Sequence, residues 1–167
     1  YILDPHVPTA PDVVARMVAL ADVNASDFVL DLGCGDGRLA IAAALSRGAR
    51  ALGVDIEAYW VEEARRNAAE AGVSHLTQFV QQDALSVDWR PVSVVFLYLV
   101  EWSTHLIAQR ILEHCRPGTR VVSNSVPFPA AANAATETFL DATGRPRSLH
   151  LLVVPSSAAP PTPPAVA

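Results

Sequence analysis

Eight consecutive residues, Asp31-Leu32-Gly33-Cys34-Gly35-Asp36-Gly37-Arg38, carry the densest chemical signal in this 167-residue chain. Glycines at alternate positions let a backbone bend sharply and approach a ligand with no Cβ in the way. A helix starting just after them adds unpaired amides and the positive end of its dipole. A dinucleotide-binding GxGxxG loop needs its last glycine at position 38, where Arg38 stands. No GK[ST] follows, so a phosphate-cradling P-loop is excluded as well. What remains is GxGxG behind an acid, a pattern that suits a nucleoside ligand without a diphosphate. Cys34 reads as a small residue in a tight bend, because no His or Lys is expected near enough to activate its thiol.

Such a loop must sit between a strand and a helix, and the hydrophobic pattern places it there. Phe28 to Leu32 reads as a strand and Gly37 to Ser46 as an Ala-rich helix stopped near Gly48. Before them, Pro11 to Val23 has helical spacing, started by Thr9 or Pro11. After them come a strand at Ala51 to Asp55 and a helix at Glu57 to Ala71, with Gly72 as its cap. Glu62–Arg66 and Arg66–Glu70 are expected to pair at i,i+4 on its wet face. Thr77 to Gln81 is strand-like, and Val92 to Leu99 is a continuous apolar run of the kind buried on both faces of a parallel sheet. A helix at Thr104 to Cys115 and a strand at Arg120 to Ser123 follow. Thr136 to Asp141 and Leu149 to Val154 flank a Thr-Gly-Arg-Pro turn as an antiparallel pair. Alternation of strand and helix dictates an α/β, doubly wound, mostly parallel sheet closed by a C-terminal antiparallel hairpin. Ligands bind such sheets at the carboxyl ends of the strands.

With an acid and GxGxG at the end of the first strand, the chain resembles the class I S-adenosylmethionine-dependent methyltransferases. That resemblance implies a seven-stranded Rossmann-like sheet, S-adenosyl-L-methionine as cofactor, and a role for each acid at a strand end. Asp55, closing the second strand, would accept hydrogen bonds from both ribose hydroxyls, and Ile56 would offer an apolar surface to one adenine face. Asp83, after the third strand, would accept from the adenine amino group, with the Ala84 backbone at the ring edge. Asp31 and the loop Gly33, Cys34, Gly35, Asp36 and Gly37 would hold the amino-acid end, the Gly33 and Gly35 amides taking part directly. The acidic rim also favours a sulfonium cation. Taken singly, Asp31 could be a cap, Asp55 a helix N-cap and Asp83 a turn residue; their common placement at strand ends gives the functional reading its weight.

A narrower resemblance covers nearly the whole chain up to its tail. His6-Val7-Pro8-Thr9-Ala10-Pro11, DVVARMVALADV, DLGCGDGRLAIAAA and PGTRVVSNS are similar to the small archaeal protein-lysine methyltransferases and to the enzymes that methylate the c-subunit of ATP synthase. It implies that Pro8 and Thr9 line the cofactor, and that Tyr98 to Trp102 border a methyl acceptor, with Asn124 nearby. Members often carry an aromatic residue at the place of His6 and a histidine at the place of Asn124. The Asn-Pro-Pro-Tyr motif used against amide and base nitrogens is missing after the fourth strand, which argues against adenine or glutamine as acceptor. Glu101 would orient an acceptor amine together with Tyr98, and Tyr98 with Trp102 would wall a lysine stem. Glu101 as a cap for the helix at Thr104 is the alternative. A small-molecule N- or O-methyltransferase and a non-catalytic S-adenosylmethionine-binding module stay open beside the protein-lysine enzyme.

Composition narrows the partners. Hydrophobic residues make up 51% and charged ones 17%, which excludes wholesale disorder. Twelve basic residues, all Arg, face 17 acids, for a net charge of −5. That balance leaves little basis for nucleic-acid binding through counterion release. Having no lysine, this stretch cannot methylate one of its own. The partner is therefore expected to be a protein or small-molecule acceptor rather than a nucleic acid, and the chain a monomer. Cys34 and Cys115 are too few for a disulfide scaffold, and neither CxxC nor HxxxH spacing points to a metal. A reducing, cytoplasmic setting fits. No apolar run reaches the ~20 residues of a membrane helix. Because the chain opens at Tyr1 rather than Met, a leader or anchor upstream stays open. His75, His105, His114, His150 and Trp60 read as surface or packing residues. One domain is expected over residues 1–155, its arm and first helix over 1–26, followed by a Pro/Ala-rich, disordered tail at 156–167.

Overall fold

The computed structural model describes residues 8–130 and 132–156. Most of the arm (1–7) and nearly all of the tail (157–167) lie outside the described residues, so the expectations for them are not addressed. At the centre is β4 (Val94–Leu97), all four side chains buried, as an apolar run covered on both faces requires. Only these four residues form the ladder, a shorter strand than the run from Val92 to Leu99. Val92 and Leu99 are buried all the same, packing from the flanking loops.

β1 (Phe28–Leu32), β2 (Arg50–Asp55), β3 (Thr77–Gln81) and β5 (Arg120–Asn124) lie within a residue of their expected positions, while β6 (Asn133–Leu140) and β7 (Pro146–Val153) each begin three residues earlier than expected, so Pro146 belongs to the strand rather than the turn. They form one seven-stranded sheet in the order β3-β2-β1-β4-β5-β7-β6. The first five are parallel, while β7 runs antiparallel to β5 and to β6. The chain winds outward from β1 to β3, returns to β4 and winds the other way. The β1/β4 junction is therefore the topological switch point, where such sheets open a crevice.

Among the described residues four α-helices cover the two faces: α1 (Pro11–Leu20), α2 (Arg38–Arg47), α3 (Ala58–Glu70) and α4 (Glu101–His114). Val13, Met17, Leu39, Ala43, Val61 and Ala64 of α1 to α3 share one apolar core with Val29, Phe79 and Phe96. Ile107 and Ile111 of α4 share the other with Leu30, Val95, Leu97 and Val121. Among the described residues no helix is long and apolar enough to cross a membrane.

Three local expectations need correction. Helix α1 ends at Leu20 rather than Val23, because Asp22 adopts a φ of 49° and turns the chain out of the helix. On α3 the ion pairs are Glu62–Arg65 and Glu63–Arg66, both at i,i+3, so the expected i,i+4 partners are not the ones that meet. Helix α4 begins at Glu101, three residues before Thr104, so Glu101 lies in the first turn itself.

The sheet's amino-terminal end is locked by a polar network. Arg120 donates from Nη2 to Asp27 Oδ2 at 2.6 Å and from Nε to the Ala21 carbonyl at 2.7 Å. Ser93 Oγ donates to Asp27 Oδ1 at 2.8 Å and accepts from the Phe28 amide at 2.9 Å. The network ties α1 to β1, β4 and β5 at the end opposite the glycine loop. It serves the fold.

Candidate active site

Between β1 and α2 the chain passes through Gly33, Gly35 and Gly37, all with positive φ. At Gly37 the requirement is double. Its φ is 83°, and a Cβ there would lie 2.9 Å from both Ala64 Cβ and Phe79 Cζ. Phe79 stands on β3 in register with Gly53, which in turn pairs with Asp31. A Cβ on Gly53 would lie 2.6 Å from Phe79 Cδ1 and 2.8 Å from Cys34 Cβ. The buried Phe79 ring therefore fills the room left by two missing side chains and forms the floor of the loop. Gly53→Ala should overpack this floor and cost about 1–3 kcal/mol of stability. Denaturant unfolding reads that loss, and an unchanged midpoint would show that the floor yields freely.

The loop is held from within. Gly33 and Cys34 both donate to the Val54 carbonyl at 2.9 Å, and Gly37 donates to the Cys34 carbonyl at 3.0 Å. Gly35 donates to Asp55 Oδ2 at 3.0 Å, and Glu57 donates to Asp55 Oδ1 at 3.0 Å. The expectation that the Gly33 and Gly35 amides point at the amino-acid end of a ligand is corrected here. Both are engaged inside the loop, so their contribution to a site is the close approach of their backbone. Burial pushes the Cys34 thiol far up, which removes it as a nucleophile near neutral pH.

Five strand ends bring the sequence-expected residues to one edge. Asp31 is 4% exposed near the carboxyl end of β1. Burial first, then Asp55 and Asp36, push its pKa up to about 8. Asp55 closes β2, and the exposed Ile56 follows it. Asp83 caps a 3₁₀ turn at Ala84–Ser86, its Oδ1 accepting from the Leu85 amide at 2.8 Å, with Ala84 buried behind it. The turn reading of Asp83 therefore holds. Asp36 pairs with Arg38 at 2.6 Å. Thr9 is buried and its carbonyl accepts from Arg38 Nη1 at 2.8 Å, while Pro8 beside it is exposed.

On the far side of the switch point lie Tyr98, half-buried after β4, and the exposed Glu101 and Trp102 at the start of α4. In that first turn the Glu101 carboxylate faces the positive end of the helix dipole, which gives it a structural role of its own. Asn124 is buried at the end of β5, its Oδ1 accepting from Ser125 Oγ at 3.0 Å. Ser125 follows at a φ of 74°, a strained turn for a side chain with a Cβ. Arg147 on β7, anchored to Asp141 and next to Tyr98, completes this wall. His150 is buried between Thr136 and Ser148, a packing role as expected.

Sequence reasoning passes over Gly53, Phe79 and Arg147, and meets Arg38 only as a missing glycine. A glycine inside a β-pattern signals close approach, and Gly53 can be found that way. The others depend on contacts between distant segments. Among the described residues no cluster of His, Cys, Asp and Glu could hold a metal ion. A separate groove of about 740 Å³ runs along α1 and α2 and shares only Asp36 and Arg38 with the site residues above. It is not where the acids converge.

Acids at or after the ends of β1, β2 and β3 stand beside the glycine loop at the switch point. Comparison with known proteins identifies the family. Residues 31–135 match the ANTKMT methyltransferase domain. The chain is 37% identical over 121 residues to a protein-lysine N-methyltransferase of Saccharolobus islandicus, covering 72% of this chain and 75% of that protein. It is 28% identical over 125 residues to the lysine N-methyltransferase of the ATP synthase c-subunit from Xenopus laevis, covering 75% of this chain and 54% of that one. A crystal structure described as an RNA methyltransferase from Salinibacter ruber in complex with S-adenosyl-L-homocysteine has 38% identity and a TM-score of 0.82. It matches 92% of this chain and 97% of that chain. This chain belongs to the ANTKMT methyltransferase domain family, within the class I S-adenosylmethionine-dependent methyltransferases.

Proposed function

We propose that the crevice binds S-adenosylmethionine and that the chain transfers its methyl group to the side-chain amine of a protein lysine. The observation that carries the cofactor reading is Asp31. A carboxylate buried beside Asp55 and Asp36 is costly in its charged form unless a cation arrives to match it. Asp55 presents its outer lone pairs beside it, where ribose hydroxyls would donate, and Ile56 offers an apolar face for adenine. Asp83 and Ala84 would meet the adenine edge, and Pro8 and Thr9 would close the other side.

When bound, S-adenosylmethionine supplies an activated methyl on a sulfonium, and transfer is an in-line displacement that needs no acid at the leaving thioether. The chain's task is to orient an acceptor about 3 Å from that methyl and to exclude water. A lysine amine with a pKa near 10.4 must lose its proton before it can attack. Tyr98, Trp102 and Asn124 would wall the approach, and desolvation of the amine there would lower its pKa. Glu101 would orient the amine by accepting from it. As a carboxylate it also stabilises the ammonium, so it is an orienter and not a strong base.

Two curated lysine methyltransferases among the relatives support a protein acceptor, and the acidic rim suits a cationic side chain. RNA is the competing acceptor because of the Salinibacter ruber structure. The net charge of −5 weighs against it. Incubation with methyl-labelled S-adenosylmethionine, a lysine-bearing protein mixture, RNA and small amines in parallel decides. Label recovered as methyl-lysine after acid hydrolysis is the expected result. Label confined to RNA or to small amines would overturn the lysine reading, and tight binding without transfer would make the chain a binding module. The chain's own lack of lysine keeps the methyl-lysine background at zero.

A further inference from the structure

Seven of the described residues with positive φ are glycines, and Asp22, at 49°, sits in the left-handed region that Asp tolerates. Ser125 is the exception, at a φ of 74° directly after β5. The Val126 amide donates back to the Asn124 carbonyl at 3.0 Å and closes a three-residue turn centred on Ser125. A γ-turn with positive φ at its middle residue is the rare, strained form. Glycine fits such a turn without strain, so a serine there has to supply something glycine lacks. It supplies a hydroxyl: Ser125 Oγ donates to Asn124 Oδ1 at 3.0 Å. The Ser125 amide is tied across to the Ser148 carbonyl on β7 at 2.8 Å, which holds the turn in its strained shape. Asn124, buried at the end of β5, is thereby fixed through its backbone and through its carboxamide oxygen. Its two Nδ2 donors face away from Ser125.

Strand registers show what Asn124 stands beside. Asp31 pairs with Phe96, and Phe96 with Val122. Two residues further along these parallel strands come Gly33, Tyr98 and Asn124, and residues two apart share a face. Phe96 and Val122 lie in the core shared with α1 to α3, so Tyr98 and Asn124 are neighbours on that face, level with the glycine loop. Arg147, two residues beyond Leu149, the partner of Asn124, reaches Tyr98 there.

We propose that Ser125 is a positioning residue: its strained turn and its hydroxyl fix the Asn124 carboxamide beside Tyr98, so that the Nδ2 donors orient the methyl acceptor. This deepens the methyl-transfer reading above and rests on it. A donor aimed at the attacking lone pair would block it, so Nδ2 serves an oxygen of the acceptor, a main-chain carbonyl beside the target lysine. Stability is given up at Ser125 for orientation at Asn124.

Two variants separate the turn's strain from its hydroxyl. Ser125→Gly removes both, and Ser125→Ala removes the hydroxyl alone. The denaturation midpoint should rise in Ser125→Gly and not in Ser125→Ala. In proton–nitrogen correlation spectra the side-chain amide pair of Asn124 should shift and broaden in both. With methyl-labelled S-adenosylmethionine and poly-L-lysine as acceptor, kcat should fall about tenfold in both. Affinity for S-adenosylhomocysteine should stay within about twofold of wild type. A merely structural Ser125 would give a more stable glycine variant with kcat untouched, and that result overturns the proposal. So does a glycine variant no more stable than wild type, or an Asn124 amide signal that does not move. Wild type that labels no lysine would instead sink the reading on which the proposal rests, while the midpoint and the amide signal still decide whether Ser125 fixes Asn124.

Discussion

Asp55→Ala lowers affinity for S-adenosylhomocysteine by two orders of magnitude or more, the largest loss expected from a single substitution in the crevice. Asp55 has two tasks on one carboxylate. Toward the protein it accepts from the amides of Gly35 and Glu57, which fixes the middle of the glycine loop against the end of β2. Toward the proposed ligand it accepts from the ribose hydroxyls. Hydrogen bonds to a charged group contribute about 1.5–3 kcal/mol each, so losing two to the ligand corresponds to roughly 10²- to 10⁴-fold. Asp55→Asn should fall between alanine and wild type, because a side chain with one carbonyl oxygen can serve only part of the set. Calorimetry reads the affinities. A dissociation constant for Asp55→Ala within about threefold of wild type would contradict the assignment.

Asp31 supplies the second large effect, and its signature is in pH. Burial above all, then Asp55 and Asp36, hold its pKa at about 8 in the unliganded protein, against 3.8 in an ordinary setting. A cationic ligand end favours the ionised form. Binding below pH 8 must then release a proton, and affinity should rise by up to about tenfold per pH unit from pH 6 to 8 and flatten above. Calorimetry in two buffers of different ionisation enthalpy measures that proton directly. Asp31→Asn should abolish the release, flatten the profile and weaken binding at pH 8.5 by about 10²-fold, since a charge-assisted partner becomes a neutral one. Stability carries the opposite sign. The unfolded chain loses the Asp31 proton near pH 4 while the folded, unliganded protein keeps it until about pH 8. The unliganded protein therefore loses stability as pH rises through that window. A pH-independent affinity in wild type would exclude Asp31 as the partner of the cation.

The glycine loop, the strand before it and the acids at strand ends are legible in the sequence because each obeys a local rule. Period-2 and buried apolar runs mark strands, and a positive φ selects glycine. The same rules determine the sheet class, because strand–helix alternation permits few topologies. What escapes is what distant segments decide together. The two Arg–Glu pairs on α3 form at i,i+3 rather than i,i+4, a choice between two neighbouring turns that spacing alone does not make. The start of α4 lies three residues earlier than expected because Tyr98 to Trp102 reads as a loop bordering a site. The Phe79 floor joins β3, β2 and the loop, and no local pattern announces it. In the sequence Arg38 stands out only as a missing glycine. Its partner Thr9 lies 29 residues away, so the contact emerges only once the start of α1 packs beside α2. The loop amides illustrate the converse error. A glycine loop reads as offering amides to a ligand, whereas Gly33 and Gly35 already donate to Val54 and Asp55.

The most direct measurement is a crystal structure of this chain grown with S-adenosylhomocysteine. The expected density places the ribose hydroxyls on Asp55, the adenine between Ile56 and the Asp83–Ala84 turn, and the ammonium within hydrogen-bonding reach of Asp31. A ligand seated instead in the α1/α2 groove, or a crevice whose acids make no contact with it, would contradict the site.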